Sequence, residues 1–243
     1  MPRGHVTFEQ AGTASRWPEW IGAVGSVLLA VLAVFQDRIR GWLARPQLRL
    51  RAQTAPPCCH KTSWVYPVPP NHPQFRPDMQ LEYLPCYYFR LEISNTGNLS
   101  AHDVEVFAAS LRRKRADGTF ENVSRFTPMN LLWAHEHKVY LPLLAPKMTK
   151  FCDLGHIIFP KDRPRVGHDL SGISPEKCIM AFDLQVEPNM KGHLIDPGTY
   201  SLALLVAAEN CRPREYTVDI SFSGDWYDSE QDMFRDGIGL HVA

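Results

Sequence analysis

The chain has 243 residues, and its 26 Lys and Arg balance 26 Asp and Glu, so its formal net charge is zero. That balance lacks the basic excess that marks a general nucleic-acid binder. A hydrophobic fraction of 44% supports a packed core. Six cysteines (Cys58, Cys59, Cys86, Cys152, Cys178 and Cys211) lie scattered along the chain and lack the density of a disulfide scaffold. Free thiols in a reducing compartment are the expectation.

After a short tail over 1–16, the run Trp20 to Gln36 reads WIGAVGSVLLAVLAVFQ, seventeen residues without a charge. At 1.5 Å per residue it covers about 25 Å, slightly under the hydrocarbon core of about 30 Å. Pro18 suits a first helical turn. Trp17, Trp20 and Trp42 suit headgroup depth, while Arg38, Arg40 and Arg45 can snorkel toward it. These features predict a transmembrane helix with interfacial flanks over 17–43. A cleaved signal peptide fits less well, because Arg3 and Arg16 are offset by Glu9 and Glu19, and a charged stretch follows the run. A buried soluble helix is the other rival. Arg38, Arg40, Arg45, Arg49 and Arg51 follow the run and only Arg3 and Arg16 precede it. The predicted topology is therefore single-pass, with the N-terminus outside and the C-terminal domain cytoplasmic. Gly22 and Ser26, four apart with Gly25 beside them, permit close approach of a second helix.

Beyond Pro46 the pattern becomes period two. Leu48, Leu50 and Ala52 alternate with Gln47, Arg49 and Arg51 and predict a strand. A long Pro- and aromatic-rich loop is predicted over 54–85, with Trp64, Tyr66 and Phe75 covering an edge. Tyr87, Phe89, Leu91 and Ile93 form the clearest strand, ending at the turn Asn95-Thr96-Gly97-Asn98. Val104, Val106 and Ala108 open the next, which turns at Asp117-Gly118 and returns through Phe120 and Val123. Further strands are predicted at Lys138–Leu143, Thr149–Leu154, Ile179–Glu187, Tyr200–Ala207 and Tyr216–Phe222, with Cys211-Arg212-Pro213 separating the last two. The extension 224–243 supplies a closing strand or short helix. The predicted class is mainly β: an antiparallel sandwich over 44–243 behind one N-terminal helix.

The run Tyr88-Phe89-Arg90-Leu91-Glu92-Ile93-Ser94-Asn95-Thr96-Gly97, with Ala101 and Val104-Glu105-Val106, resembles a signature of bacterial immunoglobulin-like modules of the CARDB or adhesion type. Pro197-Gly198-Thr199-Tyr200 is similar to the entry to a late strand in such sandwiches. The chain also resembles bacterial single-pass membrane proteins that carry such a domain behind one helix. The resemblance implies binding or scaffolding rather than catalysis. The long Pro-rich insertion and the C-terminal extension depart from a minimal module.

His135 and His137 flank Glu136 and would share one face of a strand, so they are the candidate metal pair. A polar loop is the favoured reading, and no metal is expected there. Cys58, Cys59 and His60, with His72 or Cys86, lack the C-x₂₋₄-C spacing of a structural zinc site. Arg112, Arg113, Lys114 and Arg115 lie near a predicted hairpin tip and are the candidates for a small anionic ligand or lipid headgroups; a solvated end is the plainer alternative. Asp225, Asp228, Glu230 and Asp232 lack a calcium-loop pattern. Serine-hydrolase, P-loop and dinucleotide signatures are absent, so neither an enzyme nor a cofactor is expected.

The expected function is a membrane-tethered, immunoglobulin-like module. Its partners would be the bilayer and either a protein or further copies of itself. The alternatives are an effector whose sandwich senses an anionic ligand, such as a nucleotide, and clusters the helices, or an enzyme of unknown chemistry.

Overall fold

The computed structural model describes residues 17–43, 45–66, 82–134 and 138–243. The chain divides into two units, Met1–Ala44 and Arg45–Ala243. The helix α1 (Trp17–Leu43) belongs to the first. Ten large apolar side chains between Trp20 and Phe35 are exposed, from 43% at Phe35 to 76% at Val34. They occupy a broad side of the helix, and Gly22, Ser26, Ala30 and Ala33 fill the remaining strip. Ser26 Oγ donates back to Gly22 O at 2.9 Å. Among the described residues, no helix is long and apolar enough to cross a membrane.

Among its described residues the second unit has thirteen strands. They are β1 (Leu48–Ala52), β2 (Cys59–Tyr66), β3 (Glu82–Asn95), β4 (Ala101–Lys114), β5 (Phe120–Asn122), β6 (Met129–Asn130) and β7 (Tyr140–Leu144). The later ones are β8 (Thr149–Ile158), β9 (Met180–Phe182), β10 (Leu194–Ile195), β11 (Gly198–Ala208), β12 (Cys211–Phe222) and β13 (Ile238–Val242). They form two antiparallel sheets. One runs β1-β3-β8-β9-β10, with β2 also on β3; the other runs β13-β12-β11-β4-β5, with β6 and β7 also on β4.

The two longest strands explain this layout. β3 pairs along one edge with β8 and along the other with β2 and then β1, end to end. β4 likewise has β11 on one edge and β5, β6 and β7 in succession on the other. Period-two alternation turns one face of each inward. Tyr87, Phe89, Leu91 and Ile93 from one sheet share a core with Val104, Val106, Leu202, Leu204, Val206, Val218 and Ile220 from the other. Trp133 is buried beside them and donates Nε1–H to Val104 O at 3.0 Å.

The crossover from β3 to β4 accounts for the N-x-G sequence. Asn95 is buried, and all four of its amide bonds are made. Its Oδ1 accepts from Gln47 N at 3.1 Å and Gly97 N at 3.0 Å. Its Nδ2 donates to Leu99 O at 2.7 Å and Leu144 O at 3.0 Å. A Cβ at Gly97 would stand 2.3 Å from Arg45 O, so only glycine fits.

Several expectations change. The loop predicted over 54–85 contains β2 and the start of β3, with Trp64 inside β2; residues 67–81, with His72 and Phe75, lie outside the described residues. Prolines obscured a strand that joins β3 in unbroken register from Cys59↔Phe89 to Tyr66↔Glu82. The predicted strand Ile179–Glu187 is three residues long, and β10 was missed. Cys211 and Pro213 lie within β12 and do not separate two strands. Pro213 is tolerated because β13 pairs only with Val218–Phe222, leaving that part of β12 an edge.

Candidate functional site

The chemistry converges where β8, β9 and the segments around them meet β2. His156 lies near the end of β8, paired with Ala181 of β9. The strands approach so closely that a Cβ on Gly155 would meet Ala181 O at 2.2 Å. Beyond β8 the chain makes a 3-10 turn, Pro160–Val166, and reverses at Gly167, φ 76°, in the left-handed region. His168 N–H then donates to Arg163 O at 3.0 Å, so His168 falls back across the sheet. Arg163 is 2% exposed and fastens the following segment through Lys177 O, Ser174 O and Asp169 Oδ1. His193 enters from the other side, its carbonyl accepting from Phe182 N at 2.9 Å. Gly192 allows this, because a Cβ there would stand 1.9 Å from Arg125 O.

These folds gather three histidines that are far apart in sequence. His156 and His168 have ring centroids 4.9 Å apart, and His168 and His193 6.2 Å apart. The Trp64 indole covers His156 at 4.1 Å, and Tyr88 lies 5.5 Å from it. The cavity between them measures about 140 Å³ and also has Asp183 and Glu187 on its wall.

His156 Nδ1 and Asp183 Oδ1 are 2.8 Å apart. An ionised carboxylate only accepts, so in this contact Nδ1 is the donor and Nε2 is the ring's other polar atom. That Nε2 has no hydrogen-bond partner, nor have His168 Nδ1, Asp183 Oδ2 or either nitrogen of His193. Buried polar atoms left unpaired in this way cost stability. Burial pulls the His168 pKa down to about 3, with His156 and His193 adding to the effect, and burial also lowers that of His193. Both rings are therefore neutral near pH 7 and offer lone pairs. One donor atom each from His168, Glu187 and His193 lie within 4.8 Å of one another.

The candidates drawn from sequence fall elsewhere. His135, Glu136 and His137 lie outside the described residues. Cys58, Cys59 and Cys86 are buried in the sandwich, and burial pushes their thiols up, Cys59 to about 12. The basic run is divided by its strand. Arg113 pairs with Asp196 at 2.8 Å and donates to Pro197 O, and Arg115 pairs with Glu121. Arg112 lies over the Phe120 ring, and Lys114 is exposed. Arg113, Arg125, Asp196 and Tyr200 line an open cavity of about 430 Å³, where Asp196 pairs with both guanidinium groups. The tail carboxylates diverge: Asp225 pairs with Lys177, Asp228 with Lys61 and Asp232 with Arg235, and Glu230 accepts from Lys61 N. Trp17, Trp20, Arg38, Arg40 and Trp42 fall within α1, and Arg45 is exposed at the start of the second unit.

The chain matches no model of a known protein family, and no curated protein matches it.

Proposed function

We propose that this chain is a bilayer-anchored recognition module, in which α1 enters lipid and the β-sandwich presents a binding surface. The observation that carries the reading is the exposure of ten large apolar side chains on a helix uncharged from Trp20 to Gln36. Exposed apolar area on that scale costs roughly 25 cal/mol per Å² in water, and lipid removes the cost. The uncharged run covers about 25 Å, so a single pass requires locally thinned lipid. Arg45, Arg49 and Arg51 then hold the sandwich against an anionic cytoplasmic leaflet.

Tethering raises the local concentration of the sandwich, so weak contacts suffice for self-association or partner binding. The strip Gly22, Ser26 and Ala30 fits close helix approach. The immunoglobulin-like reading rests on two packed antiparallel sheets and the N-x-G crossover at Asn95. A ligand-gated effector is the second reading, and the cavity among the three buried histidines favours it.

Flotation with phosphatidylcholine–phosphatidylglycerol vesicles tests the anchor. The full chain is expected in the floating fraction and a chain starting at Arg45 in the aqueous one. A full chain that remains aqueous, with residues 1–44 intact, overturns the reading.

A further inference from the structure

We propose that His168, Glu187 and His193 form a binding site for a divalent first-row transition metal of the zinc class, with an open coordination position toward the cavity. The inference does not depend on the bilayer reading, because all three residues belong to the sandwich unit.

Three observations meet here. The first is convergence: one donor atom from each residue lies within 4.8 Å of the other two. On a tetrahedral ion with bonds of about 2.1 Å, donors stand roughly 3.4 Å apart. Binding therefore draws the group inward by up to about 1.4 Å, and the exposed Glu187 can move that far. The second is the orphaned nitrogens. His168 and His193 are 3% and 5% exposed, yet His168 Nδ1 and both nitrogens of His193 have no hydrogen-bond partner. A buried imidazole without a partner is costly, and a metal ion is the partner that a neutral ring satisfies best.

The third is the donor chemistry. Two imidazoles and one carboxylate suit zinc, iron(II) or cobalt(II), whereas calcium and magnesium prefer oxygen alone. Three protein donors leave one position for water or a ligand, which is the pattern of open rather than purely structural zinc sites. His156 borders the site with its ring fixed by Asp183, and Trp64 shields that side from solvent. The arrangement can therefore hold an ion and offer it to a small donor ligand entering the cavity.

The test uses the untagged full chain in detergent, stripped with chelator and titrated with cobalt(II) and zinc(II). The expected result is one cobalt per chain, with visible d–d bands of a four- or five-coordinate ion that zinc bleaches, and a higher melting temperature with zinc. His168→Gln and His193→Gln should each weaken binding by about 100-fold or more. Glu187→Gln should weaken it by about 10- to 100-fold, and its exposed position leaves the fold intact whatever the histidine variants do. Three results overturn the proposal: no retained cobalt or zinc, affinity unchanged in all three variants, or an intense thiolate-to-cobalt band that assigns the ion to cysteine.

Discussion

Single atoms decide where the site forms. Gly155 lets β8 and β9 close to a distance that no other residue permits, because its Cβ would sit 2.2 Å from Ala181 O. Gly155→Ala should destabilise the sandwich by about 1–3 kcal/mol, seen as a melting temperature several degrees lower in calorimetry. It should also weaken cobalt binding by displacing β9 and the Asp183–His193 loop that follows. The thiols make a second prediction at this scale. Cys58, Cys59, Cys86, Cys152 and Cys178 are buried, so Ellman's reagent at pH 8 should label only the half-buried Cys211 before unfolding. Burial pushes Cys59 and Cys178 up to about 12 from 9.0. The unfolded chain ionises first, so their contribution is intact below pH 9 and is lost as the pH climbs from 9 to 12. Each such thiol should cost up to about 1.4 kcal/mol per pH unit in that window, as urea melts across the range would record.

The elements differ in how openly their sequences announce them. β1 and β3 were plain because Leu48 and Leu50, and then Tyr87, Phe89, Leu91 and Ile93, alternate with polar residues against one buried face. The Asp117-Gly118 turn was equally plain, and Gly118 takes φ 87° there. β2 was hidden among prolines, and β10 is too short to show a period. The metal candidates were not legible at all. His168, Glu187 and His193 are separated by 18 and then 5 residues, match no ligand spacing, and meet only because β9 and β10 pair and Gly167 reverses the chain. Arg163 is the other element-scale feature that sequence concealed, since a charged residue in a Pro-rich turn reads as surface. Arg163→Ala would strip Lys177 O and Ser174 O of a buried donor. A loss of about 2–4 kcal/mol follows. Limited proteolysis should then cut between residues 160 and 178, and an unchanged digestion pattern would refute the stapling role.

At the scale of the molecule, the chain divides at Ala44 into two units. The second unit closes its own core, with members from Leu48 to Leu240. A chain starting at Arg45 should therefore melt within about 2 °C of the sandwich transition of the full chain, since an unchanged core leaves the enthalpy and entropy of unfolding unchanged. A much lower melting temperature would mean that the helix takes part in the fold. The first unit is the reverse case: ten large apolar side chains of α1 are exposed. Its composition was open to reading from the start, because a charge-free run needs no tertiary information, whereas the histidine cavity needs all of it.

The most direct measurement of the proposed anchor is carbene photolabelling from the acyl chains of vesicles carrying the full chain, followed by peptide mass mapping. The account predicts label concentrated between Trp20 and Gln36 and absent from β1 to β13. A chain that remains unlabelled over that stretch while bound to the vesicles, or one labelled mainly on the sandwich, would contradict it.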